Sequence, residues 1–189
     1  MLYMNTVMTW QTVSTSSAAT ERLGELLGQN LKPPIVIELS SDLGGGKTTF
    51  VRGLARGLGS KDIVTSPSFT LNNVYKAKAG TKIHHFDFYR LDDADAMSAQ
   101  LLESLKERQV VTVVEWGGIV LNVLPERRIT VEFKPVAAKE DDRQIIFHYP
   151  ETKTKINLFK ACFESLRALS KIKIKPSDIE NLGIVEGKK

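Results

Sequence analysis

The sequence predicts a three-layer α/β fold with a mostly parallel central sheet, and three observations carry that expectation. The apolar run Ile35-Val36-Ile37-Glu38-Leu39 passes into a glycine-rich loop, Asp42-Leu43-Gly44-Gly45-Gly46-Lys47-Thr48, and then into residues at helical spacing. A second run, Gln109-Val110-Val111-Thr112-Val113-Val114-Glu115-Trp116, is the most apolar segment of the chain, as expected for a central strand buried on both faces. Strand-like and helix-like segments alternate through the first two-thirds of the chain, the order that builds parallel sheets.

Thr9-Trp10-Gln11-Thr12-Val13 alternates as an edge strand does. Any of Ser14, Thr15, Ser16 and Ser17 is suited to cap the helix that follows to about Gln29, since a side-chain oxygen there accepts from the free N–H groups of the first turn. Leu23, Leu26 and Leu27 give this helix its apolar face, and Pro33-Pro34 blocks its continuation and delivers the chain into strand 35–39. Beyond the loop, Val51, Leu54, Ala55 and Leu58 recur at helical spacing, and Gly53 and Gly57 permit close approach on one side. Gly59 is a natural stop, and Arg52 and Arg56 are left for solvent.

Ile63 to Leu71 reads as an extended, hydroxyl-rich segment, because Pro67 disfavours helix at Ser66. Asn72-Asn73-Val74-Tyr75 leads into a turn around Gly80, and the next strand runs from Lys82 to Tyr89. A polar helix from about Asp93 to Arg108 turns Met97, Leu101, Leu102 and Leu105 inward, and Gly117-Gly118 ends the apolar strand that follows. Residues 128–133 and 144–148 form a late antiparallel hairpin joined through Lys139-Glu140-Asp141-Asp142. Ile156, Phe159, Phe163, Leu166 and Leu169 then predict an amphipathic C-terminal helix, serving as a packed helix, a lid or a docking surface. The expected organisation is one domain over 1–150 and a basic helical extension over 151–189 that is not an independent domain.

Composition narrows the class. With 189 residues, 42% of them hydrophobic, the chain can build one α/β domain with a substantial core, and the net charge of +4 is compatible with an acidic partner such as tRNA without pointing to one. The single cysteine, Cys162, excludes an internal disulfide and a cysteine-rich zinc module and suits a reducing compartment. The first residues lack a basic flank followed by an apolar core, and no segment reaches the roughly 20 apolar residues of a membrane span. The expectation is a cytoplasmic protein with no membrane association, with Met4 and Met8 as alternative starts.

The loop carries the chemistry. Glycines without Cβ let successive backbone N–H groups turn toward phosphate oxygens, and the following helix adds the positive end of its dipole. Asp42, Gly44, Gly45, Gly46, Lys47, Thr48 and Thr49 therefore form the candidate nucleotide cradle, Lys47 reaching the β- and γ-phosphates and the Thr48 hydroxyl holding Mg²⁺. The pattern G-x-x-x-x-G-K-[ST] places a glycine at 41, where this chain has Ser41; a serine forced to positive φ would cost roughly 1–2 kcal/mol. Asp87 and Glu115, near the ends of two strands, are the candidate acids. Glu115 is expected to contact Mg²⁺ directly or through water, and Asp87 to orient the metal shell or the attacking water; the two roles are exchangeable on sequence grounds.

His84 and His85 are adjacent on a strand and so face opposite ways, which argues against a shared zinc ion. Trp116 suits core packing, stacking on a base or shielding the site, with core packing the default. Ser66-Pro67-Ser68-Phe69-Thr70 is either a polar turn or a segment that senses a γ-phosphate. A guanine-reading Asn/Thr-Lys-x-Asp element is missing from the sequence, which favours adenine.

Taken in order, Ser41 to Phe50, Thr65-Ser66-Pro67-Ser68-Phe69-Thr70-Leu71, His85-Phe86-Asp87-Phe88-Tyr89-Arg90-Leu91, Glu115-Trp116 and Leu124-Pro125 resemble the TsaE (YjeE) family over about residues 14–148. The resemblance implies a P-loop NTPase-like fold and a weak Mg-dependent ATPase of tRNA modification. It would work with the TsaD and TsaB proteins to install threonylcarbamoyl on adenosine 37 of tRNAs that read codons beginning with A, meeting tRNA through that complex. It further implies that Lys47 binds phosphate, that Thr48 and Glu115 hold Mg²⁺, that Asp87 serves hydrolysis and that Arg143 approaches the nucleotide. Against the family pattern, Ser41 stands for glycine, Gly45 for alanine and Ser68 for threonine, and the tail beyond 150 is longer. Two other readings compete: a small phosphate-loop kinase, which needs an acceptor pocket and arginines aimed at the phosphates, and a nucleotide-gated binding module that scarcely hydrolyses ATP.

Overall fold

The computed structural model describes residues 7–89, 95–137 and 139–151. Among the described residues seven strands form one sheet: β1 (Val7–Ser14), β2 (Ile35–Ser41), β3 (Asn72–Lys76), β4 (Lys82–Asp87), β5 (Val110–Glu115), β6 (Ile129–Val136) and β7 (Lys139–Pro150). Their order across the sheet is β1-β7-β6-β2-β5-β4-β3. The inner run β6-β2-β5-β4 is parallel, and antiparallel strands complete both edges. The expected three-layer architecture is therefore observed, with β5 inside the sheet and buried at every position.

Alternation along the inner strands supplies two cores. Ile35, Ile37, Leu39, Val111 and Val113 face helices α1 (Ser17–Asn30) and α2 (Lys47–Gly57), where Phe50 lies within 5.6 Å of Phe133 and 6.1 Å of Phe147 between ring centres. Val36, Phe86 and Val114 face the other way, onto Met97 and Leu101 of α3 (Asp95–Lys106). Each fully buried side chain of this size contributes about 1.5–3 kcal/mol, so a two-sided sheet is the arrangement these runs favour. Ser16 is the residue that caps α1, its hydroxyl accepting from the Ala19 N–H at 3.1 Å. Helices α1 and α2 touch backbone to backbone: a Cβ on Gly53 would lie 1.8 Å from the Glu21 carbonyl, and one on Gly57 2.1 Å from that of Glu25. Arg52 and Arg56 are solvent-facing, as expected, and both pair with Glu21 of α1.

Several expectations need correction. Asn72–Lys76 is a strand paired antiparallel with β4, where the sequence suggested only a lead-in to a turn. Lys139–Asp142 belongs to β7, so the hairpin turns between Val136 and Lys139 with a register shift at Pro135/Val136. Leu102 is exposed, one position off the buried stripe of α3. The strand expected over 82–89 ends at Asp87. The C-terminal helix expected beyond Pro150, and residues 90–94, lie outside the described residues.

Candidate functional site

Three parallel strands end at one edge of the sheet, and register fixes what meets there. Leu39 of β2 lies opposite Glu115 of β5, and Asp87 of β4 lies opposite Glu115 on its other side. Both carboxylates follow the alternation of Ile83, Val111 and Val113 and so point to the face covered by α2, whose first residue is Lys47. The loop between β2 and α2 makes its turns at Gly44 (φ 75°) and Gly46 (φ 103°), conformations closed to most side chains. The carboxyl edge of parallel strands is where α/β sheets place their ligands. Here a cavity of about 230 Å³ is lined by Leu43 to Thr49, Ser66, Ser68, Asp87, Glu115 and Trp116.

Inside it the polar groups are tied together. Lys47 is buried, with Nζ 2.9 Å from Ser41 Oγ, 3.7 Å from Glu115 Oε2 and 4.9 Å from the centre of the Trp116 ring. The other Glu115 oxygen accepts from His85 Nε2 at 2.9 Å, so the carboxylate is gripped between an ammonium and an imidazole. Asp87 accepts from the Ser68 hydroxyl at 2.5 Å and from the Tyr89 backbone N–H at 2.9 Å, and Ser68 lies 2.8 Å from Ser66 Oγ. The Tyr75 hydroxyl and the Asn73 amide hold the segment's other end at the Thr65 carbonyl. Trp116, at φ 56°, packs against Tyr89 with ring centres 5.0 Å apart and planes tilted by 37°. Hard oxygen donors from Thr48 and Glu115 line the same cavity as a buried lysine and a row of loop N–H groups, a donor set that suits Mg²⁺ and phosphate.

The sequence-derived set is thus brought together at Gly44 to Thr49, Asp87 and Glu115, and two members stand apart. Arg143 lines a neighbouring cavity of about 220 Å³ with Asp42, Leu43, Gly44, Gly45, Phe133 and Pro135, which shares Leu43, Gly44 and Gly45 with the first. Its guanidinium donates to the Glu140 and Asp142 carbonyls. Asp42 contributes its carbonyl, which receives the Gly45 N–H, rather than its carboxylate. Ser41 is outside the left-handed region, so the backbone cost anticipated for it does not arise.

The match that decides the family covers residues 14–145, by the model described as "Threonylcarbamoyl adenosine biosynthesis protein TsaE". This chain belongs to the TsaE family. Among its relatives, the Bacillus subtilis tRNA threonylcarbamoyladenosine biosynthesis protein TsaE is 36% identical over 138 residues, covering 73% of this chain and 83% of that one. The Treponema pallidum TsaE is 37% identical over 125 residues, 66% of this chain and 91% of its own. The crystal structure of Bacillus subtilis YdiB superposes with a TM-score of 0.65 at 28% identity, covering 87% of this chain and 97% of that one.

Three contacts of the site were not read from the sequence. His85 was weighed only as a zinc ligand; the alternation that separates it from His84 also places it on the face of Asp87, which is how it reaches Glu115. His84 instead bonds Ser104 at 2.9 Å under α3, where burial first, and Lys82 with it, hold the imidazole below its ordinary range against the pull of Glu107. Trp116, whose default was core packing, both packs against the α3-side core and walls the cavity. The Ser68–Asp87 and Ser41–Lys47 contacts span 19 and 6 residues and have no signature in local spacing.

Proposed function

We propose that this TsaE-family chain binds and hydrolyses ATP as a subunit required for threonylcarbamoyladenosine modification at position 37 of tRNAs reading A-starting codons. Its partners on this reading are TsaD and TsaB, with tRNA met through them, in the cytoplasm. The observation that supports it best is the convergence of Asp87 and Glu115, adjacent in register, on the buried Lys47 and the glycine loop. Among the described residues no helix is long and apolar enough to cross a membrane.

In this reading the backbone N–H groups of Gly44 and Gly46 and the Lys47 ammonium bind the phosphates, and Thr48 and Glu115 hold Mg²⁺. The ion supplies charge neutralisation at the phosphate oxygens. His85 fixes the Glu115 carboxylate by donating to one of its oxygens, leaving the other to the cavity. Asp87 aligns the water for attack, and Ser68 holds Asp87 until segment 65–70 shifts. Trp116, with Tyr89 against it, excludes bulk water from one wall.

The kinase alternative asks for arginines aimed at the phosphates, and Arg143 is spent on backbone carbonyls outside the cavity. The nucleotide-gated module keeps one observation in its favour, since both Asp87 oxygens are engaged. Single-turnover ATP hydrolysis with and without TsaB and TsaD separates the two: acceleration by the partners supports the ATPase, and inactivity with both present supports the module. Depletion of the protein in its host should lower tRNA threonylcarbamoyladenosine by mass spectrometry, and an unchanged level would refute the pathway.

A further inference from the structure

Ser41 is the last residue of β2, and its side chain turns back beneath the phosphate loop. Its hydroxyl donates to the Asp42 carbonyl at 2.8 Å and accepts from Lys47 Nζ at 2.9 Å. The other oxygens around that ammonium are more distant, Asp42 O at 3.5 Å and Glu115 Oε2 at 3.7 Å, so the serine is its closest anchor. The same side chain occupies the space in front of Gly45. A Cβ built there would lie 2.4 Å from Ser41 Oγ, 2.6 Å from Ser41 Cβ and 3.1 Å from the Asp42 carbonyl. Rotating the hydroxyl relieves the first contact and leaves the second, because Cβ does not move with χ1. Unlike Gly44 and Gly46, Gly45 has no positive φ, so glycine is needed at this position for room.

We infer that Ser41 and Gly45 form one steric unit, in which the serine fills the volume under the loop and its hydroxyl positions Lys47 for the phosphates. The inference rests on the reading of the loop as an ATP site. Ser41 is a positioning residue, acting on the nucleotide through the lysine.

Four variants of the full chain test it: Ser41→Ala, Gly45→Ala, Ser41→Ala with Gly45→Ala, and Ser41→Gly with Gly45→Ala. Each is followed by Mg-ATP affinity in calorimetry and by Tm. Ser41→Ala should weaken Mg-ATP roughly fivefold, the size of one net hydrogen bond. Gly45→Ala should lower Tm by several degrees, as expected of about 1–3 kcal/mol of overpacking. Adding Ser41→Gly should restore Tm, whereas adding Ser41→Ala should not, because alanine retains the offending Cβ. Undiminished Mg-ATP affinity in Ser41→Ala overturns the positioning role. A wild-type Tm for Gly45→Ala, or equal recovery in both double variants, overturns the steric unit. If the wild-type chain binds no Mg-ATP, the ATP-site reading falls and the positioning role with it, while the Tm series still decides the steric unit.

Discussion

Glu115 is held from two sides by Lys47 and His85, and Asp87 from two sides by Ser68 and the Tyr89 N–H, so each acid has a defined direction before any ligand arrives. Neutralising either, as Glu115→Gln or Asp87→Asn, should leave ATP binding measurable by calorimetry and lower partner-dependent hydrolysis roughly hundredfold or more; a normal rate in both would remove them from the mechanism. Lys47→Ala should cost about two orders of magnitude in ATP affinity, since it deletes a charged donor to phosphate. Undiminished binding would end the phosphate-loop reading. On the opposite face, His84 titrates lower in the folded protein than its ordinary value of 6.5. As pH falls the unfolded chain therefore takes up this proton first, so the contribution is complete above about pH 6.5 and is lost below it, down to the folded-state value. Its neighbours temper the effect, Glu107 opposing the shift and Lys82 adding to it. His84→Gln should flatten the acid limb of stability against pH in urea titrations, and an unaltered limb would reject the assignment. The acids and the lysine were legible in the sequence because strand ends and a glycine loop constrain where side chains go. The hydroxyls that hold them were not, because Ser68 and Ser41 act across folded space.

At the scale of elements, the contact of α1 with α2 depends on atoms that are missing. Gly57→Ala adds a Cβ 2.1 Å from the Glu25 carbonyl, and the backbone on the far side cannot rotate away. The substitution should destabilise by about 1–3 kcal/mol even though alanine gains roughly 1 kcal/mol in helix propensity. Urea denaturation checks this, and a variant as stable as the wild type would show that the helices can separate without cost. The sequence announced this contact through the spacing of Gly53 and Gly57, just as it announced β5 through an unbroken apolar run. It concealed β3, because Asn72 and Asn73 carry turn chemistry that pairing with β4 overrides. It concealed the start of β7 for a related reason. Lys139, Glu140 and Asp141 are exposed, so strand geometry there places few demands on composition.

For the whole molecule, both the sheet and the family match end close to Pro150, at residues 150 and 145. A chain cut after Glu151 should therefore keep a cooperative unfolding transition and bind Mg-ATP as the full chain does. Loss of either property would make 152–189 part of the domain. The parallel centre was readable from the alternation of strands and helices, but the placement of β7 between β1 and β6 was not, since pairing partners leave no mark on local pattern. That placement bears on how the chain is made. Among the described residues, strand β1 pairs with β7 alone, from Val7 opposite Pro150 to Ser14 opposite Arg143. During synthesis β1 must wait for β7 to leave the ribosome before the two can pair, and pairings so distant in sequence form slowly. The nascent protein can assemble its phosphate loop and inner strands while one edge of the sheet is still open. The emergence of β7 closes it.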